Sequence, residues 1–364
     1  MKNMKNQIIK LMFAITIAFT AFSCTSDDNN KEIAKLPTIE ETLKADITNY
    51  SVLLNAIKVS AITNFASAGS YTLFAPTNAS FAAYTSSNFP AGITDAVLVD
   101  ANGVPLTTLT VAQKAELKKL VQNHILGVGT KANDLIASST VSGYVKTFAP
   151  GQGATTLSMF VNKPSADVLV NGGTTNGGAI ITTADIDASN GIIHKVNSVI
   201  KFPTIINHVV ANPDLSTLYS VLTSTSTGTY GDQSAVLTTL NGAGPLTVFA
   251  PLNTAFNTAT ATGGFLTGTN ATPTNVSKIL RYHLSNGNLT SSSSTSWTSS
   301  SATTDVTITT LAATAQTFKI TLGTLKIKEF PAITVAASNM KIVNIQATNG
   351  NINTIDRVLQ PILP

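Results

Sequence analysis

Charged side chains are scarce in this sequence. They make up 11% of its 364 residues, whereas about a quarter is usual for a soluble domain. The formal net charge of +4 counts three lysines among the first ten residues; without them, 19 of the 22 basic residues remain against 18 acidic ones. A surface this close to neutral cannot steer a polyanion over a long range, which argues against nucleic acid as a partner. Recognition must depend on shape and short-range contact.

The motifs of the common enzyme classes are also missing. The sequence has no Gly-x-Ser-x-Gly turn, no phosphate-binding Gly-Lys-Ser/Thr loop and no His-Glu-x-x-His motif. It has one cysteine, and no two of its four histidines lie two to four residues apart, as a local metal site would require. The histidines are His124, His194, His208 and His283. These absences predict a protein that is not an enzyme and that uses no cofactor and no metal ion.

The single cysteine, Cys24, follows an apolar run of twelve residues, Leu11 to Phe22, which is itself preceded by lysines. The run is too short to span a bilayer, for which about 20 residues are needed. A small residue directly before a lone cysteine resembles the processing site of a bacterial lipoprotein. Residues 1–23 are then the signal peptide and Cys24 the lipidated N-terminus. The alternative is an ordinary cleaved signal followed by an incidental cysteine.

Residues 24–35 are polar and are expected to tether the protein to the membrane. Thr25 directly after the cysteine is similar to the pattern of lipoproteins sent to the outer membrane. Asp27-Asp28 resembles an acidic tag for export to the outer surface, although such a pair is equally typical of a solvated linker. We therefore predict an outer-membrane lipoprotein that is exposed on the cell surface.

One eleven-residue stretch occurs twice. Residues 71–81 and 246–256 both contain F-A-P-x-N-x-x-F, an apolar strand that runs into a proline and then into an asparagine able to cap a helix. A second block, residues 190–200, recurs at 349–359. Two of the histidines are separated by the same offset of 159 residues. The chain is therefore expected to contain two copies of one domain.

These blocks resemble the signatures of the fasciclin-like family, T-x-F-A-P-x-N-x-A-F and N-G-x-I-H-x-I-D-x-V-L-x-P, with a Tyr-His pair on a helix between them. Copy two keeps the pair as Tyr282-His283, whereas copy one has Asn123-His124. The resemblance implies two tandem fasciclin-like domains in a bacterial lipoprotein, residues 36–202 and 203–364. It also implies that each domain is a β-sandwich-like wedge flanked by helices.

The second block departs from the family pattern in both copies. Copy one keeps His194 but lacks the aspartate three residues later, and copy two keeps Asp356 but has Asn353 in place of the histidine. A repeated His-Asp catalytic pair is thereby excluded. Asp185 and Asp187 have some of the character of calcium ligands, but the corresponding residues of copy two are amides. The same segment is therefore expected to fold without the carboxylates.

The residue patterns themselves indicate an α+β fold. Thr110 to Gln113 form a capping box that predicts a helix ending near Leu126. Strand-like runs follow at 157–161 and 167–170, and Asn-Gly-Gly turns come after them at 171–173 and 176–178. Copy two repeats this order, and the copies join near residue 203 without a flexible spacer. Such a join should restrict their relative orientation.

Three residues are candidates for contact with a partner: Tyr282, His283 and Trp297. In animal members of the family the Tyr-His region is linked to receptor binding, and Trp297 lies in a Ser/Thr-rich stretch. A structural role is the alternative for both helix histidines, since His124 and His283 end an apolar helix pattern and would be buried and hydrogen-bonded.

The predicted function is surface-anchored, non-enzymatic adhesion, or interaction with a protein or the matrix. The lipid anchor is expected to attach the protein to the membrane. The sequence does not determine whether its ligand is a protein, the matrix or a glycan. The alternative is an accessory lipoprotein that binds a glycan or small ligand for an outer-membrane uptake system.

Overall fold

The computed structural model describes residues 35–62, 69–136, 142–227, 230–262, 264–290, 305–312, 316–321, 324–329 and 337–363. The predicted signal peptide, Cys24 and nearly all of the tether lie outside the described residues, as does Trp297. The chain from Leu36 onward forms one compact unit. In this described part, no helix combines the length and the apolar character needed to cross a bilayer.

Copy one has its helices before residue 124 and most strands of its seven-stranded sheet after it. Its helices are α1 Ile39–Ala45, α2 Ile47–Val59, α3 Asn78–Ala82, α4 Asp95–Leu98 and α5 Val111–Asn123. Its strands are β1 Tyr71–Pro76, β2 Ile125–Leu126, β3 Ser142–Pro150, β4 Thr156–Asn162, β5 Leu169–Val170, β6 Ala179–Ala188 and β7 Gly191–Val196. The strand order is β2-β1-β7-β6-β5-β4-β3.

Copy two has three helices before its first central strand where copy one has two, and its strands form two four-stranded sheets. Its helices are α6 Ile205–Ala211, α7 Ser216–Leu222, α8 Ser234–Asn241, α9 Asn253–Thr260 and α10 Pro273–Tyr282. Its strands are β8 Leu246–Pro251, β9 Leu284–Asn286, β10 Asp305–Thr309, β11 Thr317–Thr321, β12 Lys326–Glu329, β13 Ser338–Asn339, β14 Ile345–Ala347 and β15 Gly350–Ile355. The sheet orders are β14-β15-β8-β9 and β10-β11-β12-β13. The predicted α+β fold is confirmed.

The capping box predicted for α5 is present. Thr110 Oγ1 accepts from the Gln113 backbone N–H at 3.1 Å, and the Gln113 side chain accepts in return from the Thr110 N–H at 2.9 Å. The predicted end of this helix is wrong by three residues, because it ends at Asn123. Ile125 and Leu126 pair with β1 instead of continuing the helix. This strand pairing is what ends α5.

The two repeated blocks lie side by side as parallel strands at the centre of each copy. β1 pairs with β7 from Tyr71↔Gly191 to Pro76↔Val196, and β8 pairs with β15 from Leu246↔Gly350 to Pro251↔Ile355. A Cβ on Gly191 would stand 2.1 Å from the Tyr71 carbonyl oxygen, and one on Gly350 would stand 1.9 Å from that of Leu246. Glycine is therefore required at the start of the second block.

The asparagine before each of these glycines connects the sheet to the first helix of its copy. Asn190 Oδ1 accepts from the Ile39 N–H at 2.8 Å, and Asn349 Oδ1 accepts from the Ile205 N–H at 2.9 Å. An N–H in the first turn of a helix has no partner within the helix, so each asparagine satisfies a group that would otherwise be buried and unpaired. The Asn-Gly pair thus joins strand, turn and helix in both copies.

The central strands are buried on both faces, which explains why the first repeated block is a continuous apolar run. Leu73 and Ala75 pack with the helices of copy one, whereas Phe74, one residue out of phase, packs on the opposite face with Met159 and Val196. In copy two, Val248 and Ala250 face the helices, and Phe249 packs against Phe318 of β11.

The copies are joined by an interface as well as by the short linker. Ser158 Oγ of β4 accepts from the Gln346 N–H of β14 at 2.9 Å, and Lys146 Nζ donates both to that hydroxyl at 2.8 Å and to the Asn344 carbonyl at 2.6 Å. Further along, Gln152 Nε2 donates to the Thr348 carbonyl at 2.7 Å. The structure thus couples β3 and β4 of copy one directly to β14 of copy two.

An aromatic contact adds to this interface. Tyr144 of β3 packs against the apolar core of copy two, and its ring centre lies 5.6 Å from that of His208 on α6. Its hydroxyl accepts from Asn212 Nδ2 at 3.3 Å. Because these groups are buried between the copies, separating the copies would expose an aromatic ring and break buried polar contacts.

Candidate interaction site

The helix-end histidines make equivalent contacts in the two copies. His124 Nδ1 lies 2.8 Å from the Leu120 carbonyl, and its Nε2 accepts from the Ile200 N–H at 2.9 Å. A carbonyl can only accept, so Nδ1 carries the proton and the ring is neutral. Each histidine therefore closes the end of its helix onto the segment after the last central strand.

His283 makes the same two contacts in copy two. Its partners lie 159 positions after the corresponding partners of His124. Its Nδ1 lies 2.7 Å from the Ile279 carbonyl, and its Nε2 accepts from the Leu359 N–H at 2.9 Å. His124 is 1% exposed and His283 is 4% exposed. Burial lowers the pKa of each imidazole to about 4, because it penalises the charged form. Both rings are therefore neutral at pH 7.

The residue before each histidine is also buried. Tyr282 donates its hydroxyl to the Thr317 carbonyl of β11 at 2.9 Å, and its ring packs against Phe318. In copy one, Asn123 Nδ2 donates to the Ile200 carbonyl at 3.1 Å instead. Direct contact of Tyr282 and His283 with a partner stays a prediction, and it requires the end of α10 to open.

His194 of copy one and Asn353 of copy two occupy equivalent positions, and each accepts a hydrogen bond from a backbone N–H. His194 Nδ1 accepts from the Asp185 N–H at 3.2 Å, and Asn353 Oδ1 accepts from the Asn344 N–H at 2.9 Å. Asp185 and Asn344 both have positive φ, 64° and 59°, a conformation in which asparagine and aspartate are enriched. The family's histidine position therefore supports an irregular strand here, through an acceptor that asparagine also supplies.

The carboxylates that suggested calcium are engaged with the protein. Asp185 Oδ1 accepts from the Ala132 N–H at 2.8 Å, and Asp187 forms an ion pair with Lys131 at 2.5 Å. Within the described ranges, no group of three or more His, Cys, Asp or Glu side chains is placed to hold a metal ion. We assign no metal-binding role to this pair.

One cavity of copy two lies inside its core and has mainly apolar walls. Its walls include Val209, Leu222 and Val248, and it encloses about 20 Å³. This is roughly the room for one water molecule, and a water there would lack polar partners. The cavity is therefore a packing gap of the core.

Two polar clefts meet at Lys201, and sequence patterns did not point to either. The first, of about 260 Å³, lies between the first turn of α3 and the segment after β7, and the second, of about 280 Å³, lies at the junction of the copies. Lys201 contributes to the walls of both. We call them together the junction groove, with walls that include Thr77, Ser80, Asn197, Ser198, Lys201, Thr175, Asn176, Phe202 and Asn207. These residues come from separate segments and share no spacing, so no local signal could have found them.

Comparison with known proteins agrees with the repeat. A sequence model of the Fasciclin domain matches residues 48–202 and again residues 213–361. The chain belongs to the fasciclin domain family. Its suspected membership and the tandem arrangement are thereby confirmed, and the two copies are fasciclin domains. Such domains are associated with cell adhesion and protein interaction and are generally not enzymes.

Two individual proteins are similar to this one. Protein sll1483 of Synechocystis sp. (strain ATCC 27184 / PCC 6803 / Kazusa) is 31% identical over 155 residues, which are 42% of this chain and 68% of that protein. A solved fasciclin domain pair from the insect cell adhesion molecule fasciclin I is 16% identical and has a TM-score of 0.48, and the alignment covers 88% of this chain and 98% of that one.

Proposed function

We propose that this tandem fasciclin protein is a non-enzymatic adhesion lipoprotein, held at the outer surface of the outer membrane by lipid on Cys24. Membership of the fasciclin family supports adhesion or protein interaction, and the lone cysteine after a short apolar run supports the anchor. On this proposal the partner is a protein, matrix or glycan surface outside the cell.

The observation that carries the proposal is the interface between the two domains. A pair joined by Ser158, Lys146 and Tyr144 presents a preformed surface, so binding does not have to fix the domains relative to one another. Contacts made by a surface so poor in charge are expected to be weak individually. Many anchored copies on one cell can still hold a surface through multivalency.

The first prediction concerns the anchor. Cys24→Ser removes the acylation site, and several acyl chains are needed because one chain gives only marginal membrane binding. We expect the variant to leave the membrane fraction, or to remain unprocessed, and to lose incorporation of labelled palmitate. The matched control is Ser23→Ala, which keeps a small residue before the cysteine. Membrane retention and lipid labelling that are unchanged in Cys24→Ser would contradict the anchor.

The same strains test adhesion. Cells that display the wild-type chain should adhere to matrix- or glycan-coated surfaces more than cells that produce Cys24→Ser, at equal amounts of total protein. Equal adherence of the two strains, once loss of the variant from the membrane has been verified, would contradict the proposal.

A second function is favoured by the junction groove, because polar clefts suit a soluble ligand. In that case the protein would be an accessory lipoprotein that captures a glycan or small ligand for an uptake system. Deleting the gene should then slow growth on that ligand as carbon source and leave adherence unchanged, whereas the adhesion proposal expects the opposite pair of results.

A further inference from the structure

Lys201 is held between the two clefts by its backbone and by the stem of its side chain. Its N–H donates to the Gly177 carbonyl at 2.8 Å. A Cβ placed on Gly177 would lie 3.4 to 3.7 Å from three carbons of the Lys201 side chain, so the stem runs along this glycine. The residue is exposed, and in the described part of the chain no carboxylate forms an ion pair with its ammonium. The exposed ammonium thus extends from a stem that the protein positions beside both clefts.

The walls around Lys201 are polar and uncharged. Hydroxyls of Thr77, Ser80 and Ser198 line the first cleft, and amides of Asn176 and Asn207 line the second. The amides brace one another across the domain junction, because Asn176 Nδ2 donates to the Asn207 carbonyl at 2.8 Å and Asn207 Nδ2 donates to Asn176 Oδ1 at 3.1 Å. Residues of both domains therefore form the wall of the second cleft.

The chemistry of these walls limits the ligand. Together the clefts fall within the roughly 300–1,000 Å³ of ordinary ligand sites. Hydroxyls and amides suit a hydroxyl-rich chain, and the half-buried Phe202 adds an apolar ring to the wall. Lys201 is the only charged residue that lines the groove, and the Lys119 ammonium lies 4.9 Å from the centre of the Phe202 ring. So few cations fit isolated acidic groups better than the closely spaced charges of a dense polyanion.

An extended peptide fits this groove less well. Peptides bind mainly through a free strand edge, an apolar groove, a proline-binding aromatic cleft or a cluster of arginines. The junction groove is walled instead by the first turn of α3, a short 3₁₀ turn at Thr174–Asn176 and the linker around Lys201.

The corresponding cleft of copy two has different charges. It measures about 190 Å³, Arg357 lines it, and Gln360 stands where copy one has Lys201. The Gln360 N–H donates to the Glu329 carboxylate at 2.6 Å. Burial raises the pKa of Glu329 and the nearby charge of Arg357 opposes that rise, so the cation of this cleft has an acid beside it. One acid-binding groove is therefore expected per molecule.

We infer that the junction groove binds a glycan chain that carries isolated carboxylates, with Lys201 pairing the carboxylate and the polar walls of the groove facing the neutral sugars. The inference rests on the proposed adhesion function and names the chemistry of its partner. A polysaccharide with one uronic acid among several neutral sugars has this character.

The test uses gellan oligosaccharides, whose repeat has one glucuronate in four sugars, and the soluble chain from residue 25 onward. Calorimetric titration should detect binding that is lost when the glucuronate is reduced to glucose. Lys201→Gln should weaken binding about tenfold, the usual effect of losing one charge-assisted hydrogen bond. Lys201→Arg should retain most of the affinity, and Lys328→Gln on β12, which removes the same charge elsewhere, should leave it unchanged.

A second variant tests the groove without altering charge. Thr175→Trp places a large ring in the second cleft from an exposed position, so it should abolish binding while the melting temperature stays at the wild-type value. Unchanged affinity in both Lys201→Gln and Thr175→Trp would overturn the inference. So would equal binding of the reduced oligosaccharide, or tighter binding of hexaglutamate, which would make this an acidic-peptide site.

Failure of this inference can be told apart from failure of the proposed function. If gellan fragments do not bind but Lys201→Gln cells adhere as wild-type cells do, adhesion stands and the groove is not its site. If gellan fragments bind with the predicted Lys201 dependence but displayed protein gives no adherence to any surface, the site stands and adhesion fails.

Discussion

Acid should unfold the domain pair between about pH 5 and pH 4. Three buried imidazoles, those of His124, His208 and His283, have their pKa lowered to about 4 by burial. In the unfolded chain each would have a pKa near 6.5. Because the unfolded state binds protons first, the free energy of unfolding falls as the pH drops from about 6.5 to about 4.

The expected size of this loss is large. At pH 5 each imidazole accounts for roughly 2 kcal/mol, since one pKa unit corresponds to about 1.4 kcal/mol. Three such groups together approach the lower end of the 5–15 kcal/mol that stabilises an ordinary protein. Urea titrations at pH 7, 6 and 5 should therefore give unfolding free energies that fall progressively.

A substitution of His208 distinguishes the contribution of histidine to this pH dependence from that of the carboxylates, which also titrate in acid. His208 Nε2 lies 3.2 Å from the Gln346 carbonyl, a contact in which it can only donate. Glutamine can donate in its place but does not titrate, so His208→Gln should reduce the loss between pH 7 and pH 5 by about 2 kcal/mol. A pH dependence identical to that of the wild type would contradict the assignment of this proton uptake to buried histidine.

The largest effect of a single substitution is expected at the helix ends. His283→Ala removes the acceptor of the buried Leu359 N–H and the donor to the Ile279 carbonyl, and it leaves a cavity where the ring was. We expect a loss of about 2 to 4 kcal/mol, the combined cost of an unpaired buried group and a cavity. His124→Ala should cost a similar amount, because its contacts are equivalent.

Thermal melting and urea unfolding measure both variants. Because the interface couples the domains, we expect each variant to lower one shared transition. The milder control is Tyr282→Phe, which loses only the hydrogen bond to Thr317 and should cost about 1 kcal/mol. A His283→Ala protein that melts as the wild type does but no longer binds its partner would instead establish the surface-contact role of this residue.

The repeat, the family and the α+β class could be predicted from the sequence because their signals are local. F-A-P-x-N-x-x-F and the Asn-Gly block are each recognisable within a few residues, although Asn190 and Gly191 make their contacts with distant parts of the chain. The capping box at Thr110 could be predicted for the same reason. The end of α5 could not be predicted, since it is set by the pairing of Ile125 with β1, a strand about fifty residues away.

The domain interface and the junction groove could not be predicted. Ser158 and Gln346 lie 188 residues apart and are ordinary polar residues in their own segments. Lys201 lies at the domain boundary, and nothing in its sequence neighbours indicates that Gly177 and Ser80 lie beside it. Sites assembled from distant segments leave no periodicity or spacing to detect.

The central claim is that the folded domain pair is itself the adhesive element. Competition tests it directly: the soluble chain from residue 25 onward is added to cells that display the anchored wild-type protein, and the number of adherent cells is counted. The account predicts that adherence falls, as the concentration of soluble protein rises, to the level of Cys24→Ser cells. Soluble His283→Ala protein, assayed above its own melting temperature and therefore unfolded, should not compete. Adherence that persists at saturating concentrations of the folded soluble chain would contradict the account.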